Sequence, residues 1–276
     1  MAALPRTHRL CKVSAVTVSV DEPADDLSAA PLIRSLALLL DYDNCDELRD
    51  VTDAGPWRNF LTQMIRTALS CAGTPPDRVV IRVYGGWNEN STLSQRGSIV
   101  SALMAEVDPF PILMDDSVIS GEFELALSPV ALPAIILPNT FRRRAAAPRI
   151  RRNASLSHAT CKMDEDCGAR AVARWTKSPA KLCFRDGCAV TSKDAFEAAE
   201  QKMVDTLLAI DIVELAVRRS FSSIAVVSDD TDFIPPLIYC AAVSDADLIV
   251  MTGTPWAAPH AEILVRNGVK LIERAS

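Results

Sequence analysis

Short apolar runs alternate with amphipathic segments along this chain. Short, mainly apolar runs, which are typical of strands buried on both faces of a sheet, occupy residues 36–40, 79–84, 223–227, 247–251 and 269–273. Apolar residues at helical spacing mark residues 57–72, 91–107, 193–220 and 258–267. Residues 110–114 form a further apolar run that contains a proline, which predicts an edge strand. The alternation predicts an α/β fold with a central parallel sheet and helices on both faces.

This alternation is lost between about residues 115 and 192, which we interpret as an insertion rich in arginine and cysteine. Residues 1–30 show no sustained hydrophobic period, and we expect them to form a poorly ordered leader. The predicted organisation is therefore one α/β domain over residues 31–276, interrupted by the insertion.

Composition narrows the classes of protein that fit this pattern. An apolar fraction of 49% is ample for one core. The net charge of −6 argues against a wholly basic nucleic-acid-binding surface, although it leaves room for a local basic patch. No segment has the composition of a membrane span, and the amino terminus lacks the continuous apolar region of a secretion signal. We therefore expect a cytoplasmic protein without a membrane partner.

The insertion carries two groups of residues with potential chemistry. Clustered guanidinium groups in an otherwise acidic chain are candidate contacts to an RNA backbone, although such a run is more often a solvated loop. Two pairs of cysteines could hold a structural Zn²⁺ ion, the alternative being buried thiols without a metal. The arginines are Arg142, Arg143, Arg144, Arg149, Arg151 and Arg152, and the cysteines are Cys161, Cys167, Cys183 and Cys188.

Carboxylates gather at the ends of predicted strands and on one predicted helix. Ligands of parallel sheets bind outside the carboxyl ends of the strands, and crowded carboxylates repel one another unless a cation lies between them. Acid-only sites suit Mg²⁺ or Mn²⁺, which activate water and stabilise charge on a phosphoryl group. The sequence thus predicts cleavage of a phosphodiester or a phosphomonoester. The residues are Asp41 and Asp43 after the first strand, Asp205 and Asp211 on the helix, and Asp229, Asp230 and Asp232 after residues 223–227.

Three motifs contain these carboxylates: Leu38-Leu-Leu-Asp41-Tyr-Asp-Asn44, Lys202-Met-Val-Asp205 with Asp211 six residues later, and Val226-Val-Ser-Asp-Asp230-Thr-Asp232-Phe233. In this order they resemble the motifs of the NYN domain, a branch of the PIN-like nucleases. The resemblance covers roughly residues 34–115 and 193–274.

The resemblance implies a PIN-like Rossmannoid fold and a metal-dependent ribonuclease that cleaves single-stranded RNA with a metal-activated water. It also implies that Asp41, Asp205, Asp230 and Asp232 bind Mg²⁺ or Mn²⁺ and that Asn44 helps to orient the site. Asp229 stands where the family usually has glycine, so the resemblance assigns it no role.

Two alternatives remain open at the level of sequence. A haloacid-dehalogenase-like phosphatase would use Asp41 as the nucleophile, Asp43 as the general acid, Lys202 to balance charge and Asp230 to bind magnesium. That family favours threonine or valine where this chain has Cys45, and it gives Asp205 no role. The second alternative is an RNA-binding module that keeps the fold without turnover.

Overall fold

The computed structural model describes residues 34–45, 47–48, 51–73, 76–114, 117–145, 168–201 and 203–274. The predicted leader lies outside the described residues, as do Arg149, Arg151, Arg152, Cys161, Cys167 and Lys202. For Arg142, Arg143 and Arg144 only the backbone is described. Within the described part of the chain, no helix is long and apolar enough to cross a membrane.

The described chain contains strands and helices in the following order. The strands are β1 (Ser35–Asp41), β2 (Arg78–Tyr84), β3 (Asn88–Glu89), β4 (Thr92–Leu93), β5 (Ile112–Met114), β6 (Ser117–Leu125), β7 (Phe141–Ala145), β8 (Glu197–Gln201), β9 (Ser223–Val227), β10 (Asp247–Thr252) and β11 (Lys270–Glu273). The helices are α1 (Ala54–Cys71), α2 (Gln95–Val107), α3 (Gly168–Trp175), α4 (Ser192–Ala195), α5 (Val204–Val217), α6 (Ile234–Val243) and α7 (Ala258–Arg266). Short 3-10 helices follow β1 at Tyr42–Asn44 and β9 at Thr231–Phe233.

Seven strands form the central sheet, in the order β11-β10-β9-β1-β2-β6-β5. All neighbours are parallel except β5, which pairs with β6 in the antiparallel sense at one edge. The chain proceeds outward from β1 through β2 to β6 and later returns to β9 on the other side of β1. The strand order therefore reverses between β1 and β9, where sheets of this type bind ligands. The predicted α/β fold with a mostly parallel central sheet is confirmed.

The alternating side chains of β1 contribute to two separate hydrophobic cores. Leu36, Leu38 and Leu40 pack in a cluster with residues of α1 and α2. Ala37 and Leu39 pack in a second cluster with residues of α5, α6 and α7. Because both faces are covered, every residue of β1 is buried, which explains its continuous apolar run. This burial fixes the position of Asp41 at the end of the strand.

The structure differs from the predicted element boundaries in two places. Strand β6 lies inside the segment predicted as an insertion, yet it pairs with β2 in the central sheet. The predicted helix over residues 193–220 is divided into α4, β8 and α5, and β8 pairs with β7 as a two-stranded ribbon. Met203 adopts a left-handed conformation with φ of 66° directly before α5, which separates that helix from the ribbon. Strand pairing thus overrides the local helical preference of residues 197–201.

Candidate active site

Asp41 lies at the point where the strand order reverses, as the last residue of β1. Its side chain is only 1% exposed. Asn44 Nδ2 and Ser228 Oγ both donate hydrogen bonds to Asp41 Oδ2, each at 2.7 Å. Among the described residues, Asp41 Oδ1 is buried and has no hydrogen-bond partner. A buried carboxylate oxygen without a partner is costly, and a cation is one way of compensating it.

The pKa of Asp41 is raised to about 6. Burial is the largest cause, because it disfavours the charged form of the carboxyl. The hydrogen bonds from Asn44 and Ser228 lower the pKa, whereas the negative charges of Asp205 and Asp43 raise it. Asp41 is therefore held in an environment that disfavours its own ionisation.

Asp205 brings a carboxylate from a different element to the same region. It lies exposed in the first turn of α5, immediately after the left-handed Met203. Its pKa is also raised, first because neighbouring protein removes water from the carboxyl and then because of the charges of Asp230, Asp232 and Asp43. Asp205 thus interacts electrostatically with Asp41 as well as with Asp230 and Asp232. Asp43 interacts with both Asp41 and Asp205.

Ser228 connects the ends of β1 and β9. Besides donating to Asp41, its hydroxyl accepts a hydrogen bond at 3.0 Å from the backbone N–H of Asp230. Asp230 caps the following 3-10 helix, since its Oδ1 accepts from the backbone N–H of Asp232 at 2.9 Å. Asp230 is half-buried and Asp232 is exposed. The serine therefore orients one carboxylate and positions the backbone that carries the next two.

Asp229 makes contacts of another kind. Its Oδ1 accepts hydrogen bonds from the backbone N–H groups of Gly253 at 2.6 Å and Thr254 at 3.1 Å. Its Oδ2 lies 3.3 Å from Nη2 of the buried Arg274. Asp229 therefore stabilises the turn after β10 and compensates the positive charge of the buried Arg274 guanidinium.

Asp211 is fully buried and holds α5 against the sheet. Its carboxylate accepts hydrogen bonds from Tyr84 Oη at 2.9 Å and from the backbone N–H of Val130 at 2.8 Å. Arg82 Nη2 lies 3.7 Å from Asp211 Oδ2. Burial is the largest cause of the raised pKa of Asp211, which its three partners oppose. These contacts account for a carboxylate on an otherwise apolar helix face.

Replacing Asp211 with alanine is expected to lower the free energy of unfolding by about 3 kcal/mol, because Tyr84 Oη and the backbone N–H of Val130 would lose their acceptor and Arg82 would lose one of its ion pairs. Asp211→Asn keeps an acceptor oxygen and is expected to cost less than half as much. Urea denaturation followed by circular dichroism measures both values. Equal, small losses for the two variants would show that this buried network contributes little to stability.

The donor chemistry of this region fits a hard divalent cation. All of the candidate ligands are carboxylates, and one oxygen of Asp41 is buried without a hydrogen-bond partner in the described structure. In the described part of the chain, no three His, Cys, Asp or Glu side chains are already grouped as a metal-binding set. The region suits Mg²⁺ because it offers oxygen donors and one Asp41 oxygen that has no partner in the described structure. Mg²⁺ is commonly bound through one or two carboxylates and several waters.

Two residues of this region, Ser228 and Arg96, were not among the site residues predicted from the sequence. Ser228 stands inside one of the quoted motifs, so its polar side chain at a strand end was a usable signal. Arg96 forms an ion pair with Asp43 and lies over the ring of Tyr42 at 4.5 Å. Because Arg96 and Asp43 are 53 residues apart, no local pattern predicts their contact.

Two of the four predicted zinc ligands, Cys183 and Cys188, lie in the described part of the chain. Cys183 and Cys188 are both half-buried free thiols within one turn. In that turn Cys183 N donates to Val190 O and Cys188 N donates to Arg185 O. The zinc site stays a prediction, since it also requires Cys161 and Cys167.

Comparison with known protein families bears on the resemblance to the NYN domain. A model of the NYN domain matches residues 135–258. Residues 135–258 are thus similar to an NYN domain. The resemblance predicted from the three motifs is thereby confirmed, and NYN domains are generally nucleases. No curated protein matches this chain.

The NYN match includes Asp205, Asp230 and Asp232, whereas Asp41 and Asn44 precede it. It begins within the segment predicted as an insertion and ends after β10. The chain also aligns with the crystal structure of a protein of unknown function from Vibrio parahaemolyticus, at 12% identity and a TM-score of 0.38. That alignment covers 90% of this chain and 97% of the other.

Proposed function

We propose that this protein is a ribonuclease that cleaves single-stranded RNA and depends on Mg²⁺ or Mn²⁺. The proposal is supported mainly by the carboxylates that β1, α5 and the end of β9 bring close together. Among them, one buried oxygen of Asp41 has no hydrogen-bond partner in the described structure. When bound, the metal would supply an activated water and stabilise charge on the phosphoryl group. Asp41, Asp205, Asp230 and Asp232 are the residues proposed to hold it.

The chain's own residues supply positioning and charge in this proposal. Asn44 and Ser228 both bond to one oxygen of Asp41, so they orient the carboxylate and leave the other oxygen for a cation. The crowded charges around Asp205 repel one another, which makes cation binding favourable. The region is therefore organised before any ligand arrives, as electrostatic catalysis requires.

RNA as the substrate is supported by a basic unit at residues 168–196. This segment contains six lysines and arginines but only two carboxylates, in a protein whose net charge is −6. Trp175 ties it together, because its ring lies 5.9 Å from that of Phe184 and its Nε1 donates to Lys181 O at 2.8 Å. Phe184 is nonetheless largely exposed, next to Arg185. Cations interleaved with an exposed aromatic ring suit a single-stranded nucleic acid.

Removing three positive charges from the basic unit is expected to weaken RNA binding and reduce its salt dependence. The variant is Arg174→Gln, Lys177→Gln, Arg185→Gln, and the matched control, Arg66→Gln, Arg218→Gln, Arg266→Gln, removes the same charge elsewhere. If each cation contacts one phosphate, the slope of log K against log salt falls by about 2 in the first variant only. Fluorescence anisotropy across a salt series measures it. Equal slopes in both variants would show that these residues belong to a solvated surface and do not contact RNA specifically.

Arg142, Arg143 and Arg144 remain proposed RNA contacts, because they lie in β7 of the ribbon that leads to the basic unit. The same salt series applied to their alanine variants tests them.

The proposed activity is tested by incubating the purified protein with unstructured RNA and Mn²⁺, with a chelator as control. Metal-dependent cleavage supports the proposal, whereas binding without cleavage would favour the inactive RNA-binding module. Hydrolysis of a small aryl phosphate, lost in Asp43→Asn, would favour the haloacid-dehalogenase-like phosphatase. That alternative gives Asp205 no role, although Asp205 shares the crowded region with Asp230, Asp232 and Asp43.

A further inference from the structure

A cleft of about 740 Å³ lies next to the candidate metal site. It is bounded by the 3-10 helix after β1, by β3, by the first turns of α2 and by the first residue of β7. Its lining includes Asp43, Glu89, Gln95, Arg96, Ile99 and Phe141. We propose that this cleft binds one unpaired nucleotide of the substrate, adjoining the phosphate at the carboxylates.

The size and openness of the cleft fit such an occupant. Its volume lies within the range of about 300–1,000 Å³ that is typical of small-molecule sites. Access from solvent admits the base of a single strand, whereas a base that is paired and stacked in a duplex cannot enter. The cleft would therefore give the enzyme its preference for unpaired RNA.

The lining residues offer suitable chemistry for each part of a nucleotide. Ile99, which is 43% exposed, and the half-buried Phe141 provide apolar contact for a base. Gln95 and Glu89 place an amide and a carboxylate where the edge of a base can form hydrogen bonds. Because apolar and hydrogen-bonding groups share one cleft, they can orient a base as well as bind it.

The positive side of the cleft is set by the start of α2. Ser94 caps this helix by accepting a hydrogen bond from the backbone N–H of Gly97 at 3.0 Å. Arg96 follows in the first turn, where its guanidinium lies over the ring of Tyr42 and pairs with Asp43. A guanidinium held in a fixed orientation at the positive end of a helix suits a phosphate group.

Asp43 connects the cleft to the carboxylates. It lines the cleft, and its charge raises the pKa of both Asp41 and Asp205. A nucleotide in the cleft would thus lie directly beside the carboxylates. The inference rests on the proposed function for the identity of its ligand, but the binding it predicts requires no cleavage.

Two exposed isoleucines on helices provide a matched test. Ile99 on α2 lines the cleft and is 43% exposed. Ile263 is 41% exposed on α7, a helix whose Leu264 packs in the core on the opposite face of the sheet. The variants are Ile99→Glu, Ile99→Lys and Ile263→Glu, all of which should fold because the side chains are already in contact with water. Thermal unfolding checks this for each variant.

The measurement is the dissociation constant of a fluorescein-labelled single-stranded RNA hexamer, determined by anisotropy in a chelator so that no cleavage occurs. We expect Ile99→Glu to weaken binding at least tenfold, or about 1.4 kcal/mol, and Ile263→Glu by less than twofold. Ile99→Lys should bind at least as tightly as the wild type, because its charge attracts phosphate.

Equal effects of Ile99→Glu and Ile263→Glu would overturn the proposal, as would a wild-type protein that does not bind the hexamer. The result is independent of the cleavage assay. If binding follows the expected pattern but Mn²⁺ never produces cleavage, the cleft stands and the proposed ribonuclease activity fails. If cleavage occurs but the two glutamate variants bind alike, the activity stands and the cleft fails.

Discussion

Replacing Asp230 with asparagine is expected to reduce Mn²⁺-dependent cleavage of unstructured RNA by at least about 1,000-fold, which corresponds to about 4 kcal/mol of activation free energy. Asparagine keeps the oxygen that accepts from the backbone N–H of Asp232, so the 3-10 helix and the fold should be retained. The substitution removes the negative charge that a divalent cation requires. Initial rates on a labelled oligonucleotide measure the loss.

Asp205→Asn is expected to have the same effect, because this carboxylate comes from α5 and shares the crowded region. Asp245→Asn is the matched control, since Asp245 is almost fully exposed and contacts only Arg219 at 3.7 Å in the described structure. A wild-type rate in both Asp205→Asn and Asp230→Asn would remove these residues from the catalytic site. A comparable loss in Asp245→Asn would instead indicate a general effect of charge.

In the absence of metal, the wild-type protein is expected to lose about 2.4 kcal/mol of unfolding free energy between pH 4 and pH 7 through Asp41 alone. The pKa of Asp41 is about 6 in the folded state, against 3.8 for the ordinary carboxyl. The folded state therefore binds the proton more tightly than the unfolded state, so stability is greatest below the unfolded pKa and falls as pH rises through the folded one. Denaturation in a chelator at several pH values measures this slope.

Asp41→Asn should flatten that pH dependence, leaving only the smaller contributions of carboxyls such as Asp205 and Asp211. Asp41→Asn should also change stability and activity in opposite directions. It removes a buried charge, which favours the folded state, and it removes a proposed metal ligand, which lowers activity. Adding Mn²⁺ at pH 7 should raise the melting temperature of the wild type but not that of the variant. A pH profile identical to that of the wild type would contradict the assigned environment of Asp41.

Several residues could be assigned from the sequence because their signals are local. The apolar run before Asp41 and the one before Ser228 predict buried strands, and both are observed as β1 and β9. The resemblance to the NYN domain rested on short motifs at these strand ends. Asp211 was predicted to lie on the same helix as Asp205, and its three partners explain why it is buried there.

Other features depend on contacts that no local pattern contains. The composition of residues 197–201 favours a helix, yet these residues form β8 because β7 offers a pairing partner. Residues paired between β7 and β8 lie 52 to 60 positions apart in the chain. The ion pair between Arg96 and Asp43 likewise depends on how α2 packs beside the end of β1. The nucleotide-sized cleft exists only because these elements meet.

The sequence by itself determined the alternation of strands and helices, the resemblance to the NYN domain, and the carboxylates at the strand ends, because hydrophobic period and residue type are properties of neighbouring positions. Only the tertiary structure decided how those carboxylates are used. The bond from Ser228 to Asp41 joins residues 187 positions apart, and it forms because β1 and β9 are adjacent in the sheet. That adjacency buries Asp41. The pairing of β9 with β10 brings Asp229 to the backbone of Gly253, and the cleft forms where the start of α2 lies beside Asp43. Strand order is a property of the whole fold, so no single stretch of sequence could predict these contacts.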